Sequence, residues 1–261
     1  MLYLFLFFVY NRFIGEILPV NSIIAHILFI VKEMKRNKMK ICAIICEYNP
    51  FHNGHFYQLC EAKRLSGADA ILCIMSGNFV QRGEAAIMDK FTRAKHAIQA
   101  GADIVIELPT VFATSNAELF AKGAIHILSS IPAVNTLCFG CETANSQAII
   151  KAATLLLKEP KDVSQKIKLS VSNGKSYAKA RAEAWENLIP KEMLASSNNI
   201  LAIEYTKALL AIKSKINILP ISRIGGAYNE TNLQKSYSSA SAIRTAIQNN
   251  VEIKTQIPQF V

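Results

Sequence analysis

The stretch that decides the fold is KICAIICEYNPFHNGHFYQLCEAKRL, Lys40–Leu65. It joins a continuous apolar run, Lys40–Ile45, to an amphipathic run, Phe56–Leu65. A short uninterrupted apolar run is typical of a strand that is buried on both faces, and apolar residues at helical spacing are typical of a helix that packs on a sheet. The segment therefore predicts a strand, a polar turn and a helix.

The same alternation continues along the chain. Asp89 is placed to cap a helix that ends near Gly101, and Ser115 and Glu118 have the spacing of a capping box. The run Ser196–Asn199 can cap another helix. Further strands are predicted at Ala70–Met75, Asp103–Pro109, Asn135–Gly140 and within Ile216–Gly226.

Continuous apolar strands that alternate with helices predict a parallel sheet that is covered on both faces. This is the doubly wound, Rossmann-like α/β class, in which ligands bind at the carboxyl ends of the strands. Residues 39–143 and 196–261 are expected to form the α/β core, and residues 144–195, whose pattern is helical, are expected to form a helical insertion.

Residues 1–38 contain two apolar runs, MLYLFLFFVY and IIAHILFIV, and a basic segment follows them. Neither run reaches the roughly 18–20 uninterrupted apolar residues of a membrane span, and charges that follow the apolar part are the reverse of a signal peptide. We expect these residues to be upstream sequence read from an early start codon, with Met39 as the natural start. A weak membrane anchor is the alternative, and the cytoplasm is the expected location.

The composition limits the class of protein. Of the 261 residues, 51% are hydrophobic and 18% are charged, which supports a sizeable core and argues against disorder. The formal net charge of +10 is compatible with a polyanionic partner such as nucleic acid, and equally with a well-solvated surface. One C-x-x-C pair, Cys138 and Cys141, is weak evidence for a metal site without a second pair.

The turn after the first predicted strand carries His52, Asn53, Gly54 and His55. Exposed amides at a helix N-terminus attract anions, and glycine lets the backbone approach a ligand closely. Two histidines three residues apart can face the same way, so both imidazoles could donate hydrogen bonds to a phosphate group and to charge that develops on phosphorus. Histidines that only cap the turn, or half of a metal site, are the other interpretations.

H-x-G-H at this turn resembles the signature of the HIGH-motif nucleotidyltransferase superfamily, whose members bind ATP and attack its α-phosphate with release of pyrophosphate. Members often carry a second motif, a serine-rich turn followed by an arginine at a helix start. YSSASAIR, Tyr237–Arg244, is similar to that motif. An ordinary serine N-cap on a surface helix is the alternative.

The resemblance becomes closer over Met39–Gln248. The segments EYNPFHNGH, MSGNFVQRGEAAIMDKFTRA, GADIVIELP, LCFG, SNNILAIEY and RIGGAY together resemble the bacterial tRNA(Met) cytidine acetate ligase family. The resemblance implies that acetate and ATP form acetyl-adenylate, and that the acetyl group passes to the wobble cytidine of elongator tRNA(Met) to give N4-acetylcytidine. Members continue beyond the position at which this chain ends, so we expect the C-terminal region of the family to be missing here.

The resemblance also implies site residues. His52 and His55 are the implied catalytic residues, Mg²⁺ is the expected companion of ATP, and no protein metal ligand is predicted. The implied ATP-binding residues are Ile45, Cys46, Glu47, Tyr48, Asn49, Pro50, Phe51, His52, Asn53, Gly54, His55, Phe56, Tyr57, Gln58, Gly140, Asn198, Arg223 and Ile224. The candidates for contact with phosphate or tRNA are Arg82, Lys90, Arg93, Ser238, Ser239 and Arg244.

Several of these residues have simpler interpretations. Gly140 can simply turn the chain, Asn198 can cap its helix, and Arg223 can sit in a surface ion pair. Glu47 could hold a Mg²⁺-bound water or orient His55, and a salt bridge is equally compatible. For the whole chain, the alternatives are an adenylyltransferase that makes a nucleotide cofactor and a nucleotide- or tRNA-binding module that has lost catalysis.

Overall fold

The computed structural model describes residues 9–11, 39–186, 188–224 and 237–261. Most of the predicted N-terminal apolar runs and most of the RIGGAY segment lie outside these residues. The strands are β1 (Val9–Asn11), β2 (Ile41–Cys46), β3 (Ala70–Ser76), β4 (Ile104–Leu108), β5 (Val134–Cys141) and β6 (Asn217–Ser222).

The strands form one sheet in the order β1-β4-β3-β2-β5-β6. Strands β2 to β6 pair in parallel, which confirms the predicted doubly wound α/β class. Strand β1 was not predicted; it pairs antiparallel with β4 at the edge of the sheet. The chain winds outward in one direction from β2 to β4 and in the other from β5 to β6. A crevice is therefore expected where the carboxyl ends of β2 and β5 diverge.

Helices cover both faces of the sheet. Those between residues 146 and 195 agree with the helical pattern of the predicted insertion, whose boundaries stay a prediction. The helices are α1 (Asn53–Ser66), α2 (Lys90–Gln99), α3 (Thr110–Ala113), α4 (Ala117–Ser129), α5 (Ser146–Leu157), α6 (Lys161–Ser172), α7 (Tyr177–Trp185), α8 (Lys191–Ala195), α9 (Ser197–Ala211) and α10 (Ala240–Gln248).

The helix caps agree with the sequence in two of three predicted cases. Asp89 and Ser196 each accept hydrogen bonds from amides in the first turn of their helices. The capping box proposed for α4 was wrong, because Asn116 is the residue that accepts from a first-turn amide, at 3.0 Å. Ser115 instead donates to the carbonyl of Val111 at 2.6 Å, which completes the preceding turn.

Alternate residues of β2 pack against different helices, as the pleat of a strand requires. Ile41, Ala43 and Ile45 belong to the core layer shared with α4, α5 and α9. Cys42 and Ile44 belong to the layer shared with α1 and α2. A cavity at the end of β2 can therefore take one wall from each layer.

Cys138 and Cys141 lie in opposite layers of the core. Two side chains on opposite faces of one strand cannot bind the same metal ion, so the C-x-x-C spacing does not make a metal site. In the part of the chain that the structure describes, no group of three or more His, Cys, Asp or Glu side chains is placed to hold a metal ion. Nor does any helix within it have the length and apolarity needed to cross a membrane.

Candidate active site

A cavity of about 320 Å³ opens at the carboxyl ends of β2 and β5. The N-termini of two helices reach it, with Gly54 and His55 from α1 and Ser241 from α10 in its wall. Arg223 and Arg244 also line it. Helix N-termini carry partial positive charge and free amides, so two of them together with two arginines favour an anionic ligand.

His52 is the N-cap of α1, and this role fixes its tautomer. Its Nδ1 accepts a hydrogen bond from the amide of Gly54 at 3.0 Å. Burial, with a smaller contribution from the positive charge of Arg223, lowers the pKa of His52 to about 3. A neutral imidazole whose Nδ1 is an acceptor carries its proton on Nε2. His52 therefore presents one N–H donor rather than a positive charge.

His55 stacks on His52, with ring centroids 3.6 Å apart and planes 20° from parallel. Burial is the main cause that holds the pKa of His55 well below its ordinary value, and the charges of His52 and Arg223 act in the same direction. Its Nδ1 is buried and has no hydrogen-bond partner among the described residues. The site thus contains two stacked, neutral imidazoles, one of which has an unused buried nitrogen.

The aromatic rings of Tyr48 and Phe51 pack against His55. Tyr48 has a φ of 50°, a left-handed conformation that is rare for a residue with a bulky side chain. Its buried ring lies 4.9 Å from the ring of His55 and 4.7 Å from that of Phe51, measured between centroids. Burial of the Tyr48 ring offsets the backbone strain and fixes the floor beneath His55.

Gly54 is required by the position of His52. A Cβ atom on Gly54 would stand 2.9 Å from Cε1 and 3.1 Å from Nδ1 of the His52 ring. The contact at 2.9 Å is shorter than real Cβ atoms show, so a side chain here would require the capping imidazole to shift. The glycine of H-x-G-H therefore leaves the space that the ring of the first histidine occupies.

The serine-rich turn forms the opposite wall. Ser239 is the N-cap of α10 and accepts from the amide of Ala242 at 3.1 Å. Ser238 is buried, and its amide donates to the side chain of Gln256 at 3.1 Å. Together these contacts aim the N-terminus of α10 at the cavity, so the cap interpretation and the site interpretation of this segment are compatible.

Arg244 joins the two sequence motifs, which are 195 residues apart. Its Nη1 donates to the carbonyl of Asn49, in the turn before His52, at 2.9 Å. Its Nη2 lies 4.0 Å from Glu84. One edge of the guanidinium thus forms a structural hydrogen bond, and the positive charge of Arg244 remains at the cavity wall.

Glu142 organises the third wall. Its Oε1 accepts from Nδ2 of Asn198 at 2.8 Å and lies 3.9 Å from Nε of Arg223, and its Oε2 accepts from Ser196 at 2.5 Å. Burial acts to raise the pKa of Glu142, but these hydrogen bonds and the charge of Arg223 outweigh it and leave that pKa lowered. Glu142 was not among the predicted site residues, yet it orients two that were.

The loop between β3 and α2 is fastened to the turn after β2. Glu47 Oε1 accepts from the amide of Gln81 at 2.8 Å, and Asn49 Oδ1 accepts from the amide of Ile87 at 2.9 Å. Burial raises the pKa of Glu47. Within the described ranges Glu47 forms no salt bridge, and its other two interpretations, a Mg²⁺-bound water and the orientation of His55, stay predictions.

The structure contradicts the predicted contact of Arg93 with phosphate or tRNA. The side chain is completely buried and does not line the cavity, because its guanidinium is committed to main-chain carbonyls. Four carbonyl groups accept from it, those of Glu47, Ser76, Gly77 and Met88. Arg93 therefore holds the β3–α2 loop against β2 and is not available to a phosphate group.

The other basic candidates of this region also lie apart from the cavity wall or stay predictions. Lys90 forms an ion pair with Glu107 at 2.7 Å and does not line the cavity. Arg82 lies in a short 3-10 turn beside Gln81, which does line it. A contact between Arg82 and phosphate or tRNA stays a prediction.

Most of the predicted ATP-binding residues line the cavity, and a few support the turn instead. Phe51 packs in the core, and Asn53 donates from Nδ2 to the carbonyl of Thr255 at 2.9 Å. The ring of Phe56 lies 6.1 Å from that of Phe260. The predicted residues in the wall are Ile45, Cys46, Glu47, Tyr48, Asn49, His52, Gly54, His55, Tyr57, Gln58, Gly140, Asn198, Arg223 and Ile224; those outside it are Pro50, Phe51, Asn53 and Phe56.

Sequence reasoning missed much of the apolar wall. These residues stand at apolar positions of β5, α4, α9 and the β3–α2 loop, and such positions are read as core. Contacts between segments that are distant in sequence, such as the pairing of β5 with β2, bring them to the cavity, and no local signal identifies those contacts. The residues are Val80, Phe120, Phe139, Leu201 and Tyr205.

Comparison with known proteins gives a consistent set of relatives. The family model described as HIGH Nucleotidyl Transferase matches residues 39–261. The tRNA(Met) cytidine acetate ligase of Clostridium novyi is 47% identical over 220 residues, which are 82% of this chain and 55% of that protein. That of Acetivibrio thermocellus is 49% identical over 215 residues, which are 80% and 52%. The chain thus spans about half the length of the curated relatives it matches.

Two solved structures have the same fold. The apo crystal structure of Thermotoga maritima TmcAL superposes with a TM-score of 0.80 at 36% identity, over 85% of this chain and 55% of that chain. The structure of the same protein bound with α-thio ATP superposes with a TM-score of 0.76 at 36% identity, over 85% and 54%.

Proposed function

Because the chain belongs to the HIGH nucleotidyl transferase family, we propose that it activates acetate with ATP and transfers the acetyl group to the wobble cytidine of elongator tRNA(Met). The observation that carries this proposal is the stacked, neutral pair His52 and His55 in the wall of a cavity shared by two helix N-termini. The relatives named tRNA(Met) cytidine acetate ligase support the choice of acid and acceptor. The relative bound with α-thio ATP supports the nucleotide.

In the first step an acetate oxygen attacks the α-phosphorus of ATP. A new P–O bond forms while the bond to the bridging oxygen breaks, and pyrophosphate leaves. Negative charge grows on the α-phosphate oxygens, and the Nε2–H of His52 is fixed as a donor before the reaction begins. A preorganised donor of this kind typically lowers the barrier by about 3 kcal/mol.

The nucleotide takes an orientation that matches the walls. The N-termini of α1 and α10, with Arg244, offer amides and positive charge to the phosphates. Gly140 leaves space for the adenosine, since a Cβ there would meet nothing closer than Cγ of Arg223 at 3.6 Å. Asn198 and Arg223, both held by Glu142, then border the ribose and base.

In the second step the exocyclic amine of cytidine attacks the carbonyl carbon of acetyl-adenylate. A C–N bond forms, the C–O bond to AMP breaks, and AMP leaves while the nitrogen loses a proton. The net charge of +10 is suited to an RNA partner. Ser238, Ser239 and Arg82 are candidates for contact with phosphate groups of ATP or of the tRNA.

The donor chemistry of the cavity fits Mg²⁺. Glu47 and Glu84 both line it, and Mg²⁺ in nucleotide sites is usually held by one or two carboxylates, waters and substrate phosphates. Oε1 of Glu47 accepts from Gln81, so its second oxygen is the one that would hold a water of the ion. The ion would supply positive charge to the leaving pyrophosphate.

The proposal is tested by incubating the 261-residue chain with ATP, radiolabelled acetate and a tRNA(Met) transcript. We expect label in N4-acetylcytidine after nuclease digestion, and none with a transcript that carries uridine at the wobble position. His126→Ala, at an exposed histidine outside the cavity, is the control that should retain transfer. Absence of labelled tRNA, or equal labelling of the uridine transcript, would overturn the proposed acceptor.

A further inference from the structure

The cavity has a second end on the opposite side of the sheet from the histidines. Along β5, Gly140 lies beside Arg223 on the nucleotide side, whereas Phe139 belongs to the other core layer. Successive residues of a strand point to opposite faces. The cavity therefore passes across the end of the sheet, from a polar half near α1 to an apolar half near α4 and α9.

Three aromatic rings close the apolar half. The ring centroid of Tyr205 lies 5.9 Å from that of Phe139 and 6.4 Å from that of Phe120. All three residues line the cavity, yet their exposed fractions are only 4%, 4% and 2%. A purine base would need a much larger open apolar surface than these rings offer. A methyl group would not.

The hydroxyl of Tyr205 lies within electrostatic reach of Glu47, which also lines the cavity. It makes no hydrogen bond to any residue that the structure describes, although Tyr205 lines the cavity. Burial, together with the charge of Glu47, raises the pKa of Tyr205, so the hydroxyl keeps its proton. It is thus a proton donor that no described residue uses, on a side chain that lines the cavity.

Charges of both signs act on Glu47, which lines the cavity. Glu47 lies near Tyr205. The positive charges of Arg244 and Arg93 act on its carboxylate, and the negative charge of Glu84 opposes them. Oε1 of Glu47 is also occupied by the amide of Gln81. A second carboxylate can therefore enter beside Glu47 with less repulsion than an isolated acidic residue would cause.

We propose that Phe120, Phe139 and Tyr205 form an acyl pocket that receives the methyl group of acetate and excludes longer aliphatic carboxylic acids. The Tyr205 hydroxyl donates to the carboxylate of the acid, which then faces the α-phosphate held near His52 and His55. The inference rests on the proposed function and names the residues that select its acid substrate. One methylene group in a tight apolar pocket typically changes specificity by about 10- to 200-fold.

The test is ATP–pyrophosphate exchange by the full chain with acetate, propionate or butyrate as the acid. Phe139→Leu shortens one wall and keeps it apolar. We expect the propionate-to-acetate ratio of kcat/KM to rise by about tenfold or more. Phe112→Leu is the matched control, because Phe112 packs against the same core layer but does not line the cavity. Its ratio should equal that of the wild type.

A second variant tests the pocket without changing its volume. Tyr205→Phe should raise the KM for acetate about tenfold, the usual loss for one hydrogen bond to a charged group, and leave the KM for ATP unchanged. An unchanged acetate KM, or an unchanged acid preference in a folded Phe139→Leu, would overturn the acyl pocket alone. Wild-type exchange with none of the three acids would overturn the proposed function, and the acyl pocket with it.

Discussion

Nε2 of His52 carries the proton of that ring because its Nδ1 is tied to the amide of Gly54 at 3.0 Å. One hydrogen bond thus begins helix α1 and also selects the tautomer that can donate into the cavity. Both His52 and His55 are neutral, since burial lowers the pKa of each. The pair therefore acts through N–H dipoles rather than positive charge.

Replacement of Gly54 by alanine should lower ATP–pyrophosphate exchange while leaving the free energy of unfolding nearly unchanged. The new Cβ would stand 2.9 Å from the His52 ring, so the imidazole must move and its cap is lost. Loss of the cap costs about 1 kcal/mol, and alanine regains about 1 kcal/mol of helix propensity over glycine. We expect little change in urea stability and at least a tenfold loss of ATP–pyrophosphate exchange. Cys60→Ala, at an exposed position of the same helix, should change neither.

Arg93→Met tests whether Arg93 holds main-chain carbonyls rather than a phosphate group. Removal of the guanidinium leaves four main-chain carbonyls without a donor, and we expect the free energy of unfolding to fall by about 3 kcal/mol or more. Lys95→Met, two residues away and exposed, should leave stability unchanged. If Arg93 bound phosphate instead, Arg93→Met would raise the KM for ATP at full stability.

The buried histidines predict a loss of stability in mild acid. The unfolded chain binds protons at His52 near pH 6.5, while the folded chain does so only near pH 3. With respect to this group, stability is therefore nearly constant above about pH 7.5 and falls as the pH drops through 6.5, by about 1.4 kcal/mol between pH 7.5 and 5.5.

His52→Asn removes this group and keeps a good helix cap. The drop in urea stability between the two pH values should be smaller in His52→Asn by that amount. His55 and His96, whose pKa values are also lowered, still titrate in both proteins, and the raised pKa of Glu47 acts in the opposite direction in both. An equal drop in both proteins would contradict the burial of a neutral His52.

The substitution Glu142→Ala tests whether Glu142 orients Asn198 and Arg223 in the third wall of the cavity. Without the carboxylate, Asn198 and Arg223 lose the partner that orients them. We expect the KM for ATP in the exchange reaction to rise about tenfold, with a smaller change in kcat, because oriented binding is lost while the histidines are untouched. Glu192→Ala, at an exposed acidic residue of α8, should behave as wild type. An unchanged KM would remove Glu142 from the site.

The sequence was sufficient for strands β2 to β6 and for the sheet class, because these depend on local patterns. The turn from Cys46 to His55 carries its own signals: an apolar strand before it, an amphipathic helix after it and a glycine next to the capping histidine. Ser239 and Arg244 were named because Tyr237–Arg244 is similar to the second motif of the superfamily. Each of these features is read within about ten residues.

The rest depends on contacts between distant segments. Phe139 and Tyr205 become cavity residues only because β5 pairs with β2 and α9 packs across the end of the sheet. Arg93 resembled a phosphate ligand because a basic residue after a glycine-punctuated loop has the same sequence pattern whether it faces a ligand or main-chain carbonyls. Ser115 and Asn116 are both good caps, and the preceding turn of α3 decided between them.

Acetate-dependent ATP–pyrophosphate exchange in the 261-residue chain, with and without the substitution His55→Ala, is the decisive measurement for the proposed function. We expect exchange that requires acetate and falls by a hundredfold or more in His55→Ala, while ATP binding remains. His126→Ala should retain the wild-type rate. Exchange that proceeds without acetate, or that survives in His55→Ala, would contradict the assignment of this cavity as an acetate-activating site.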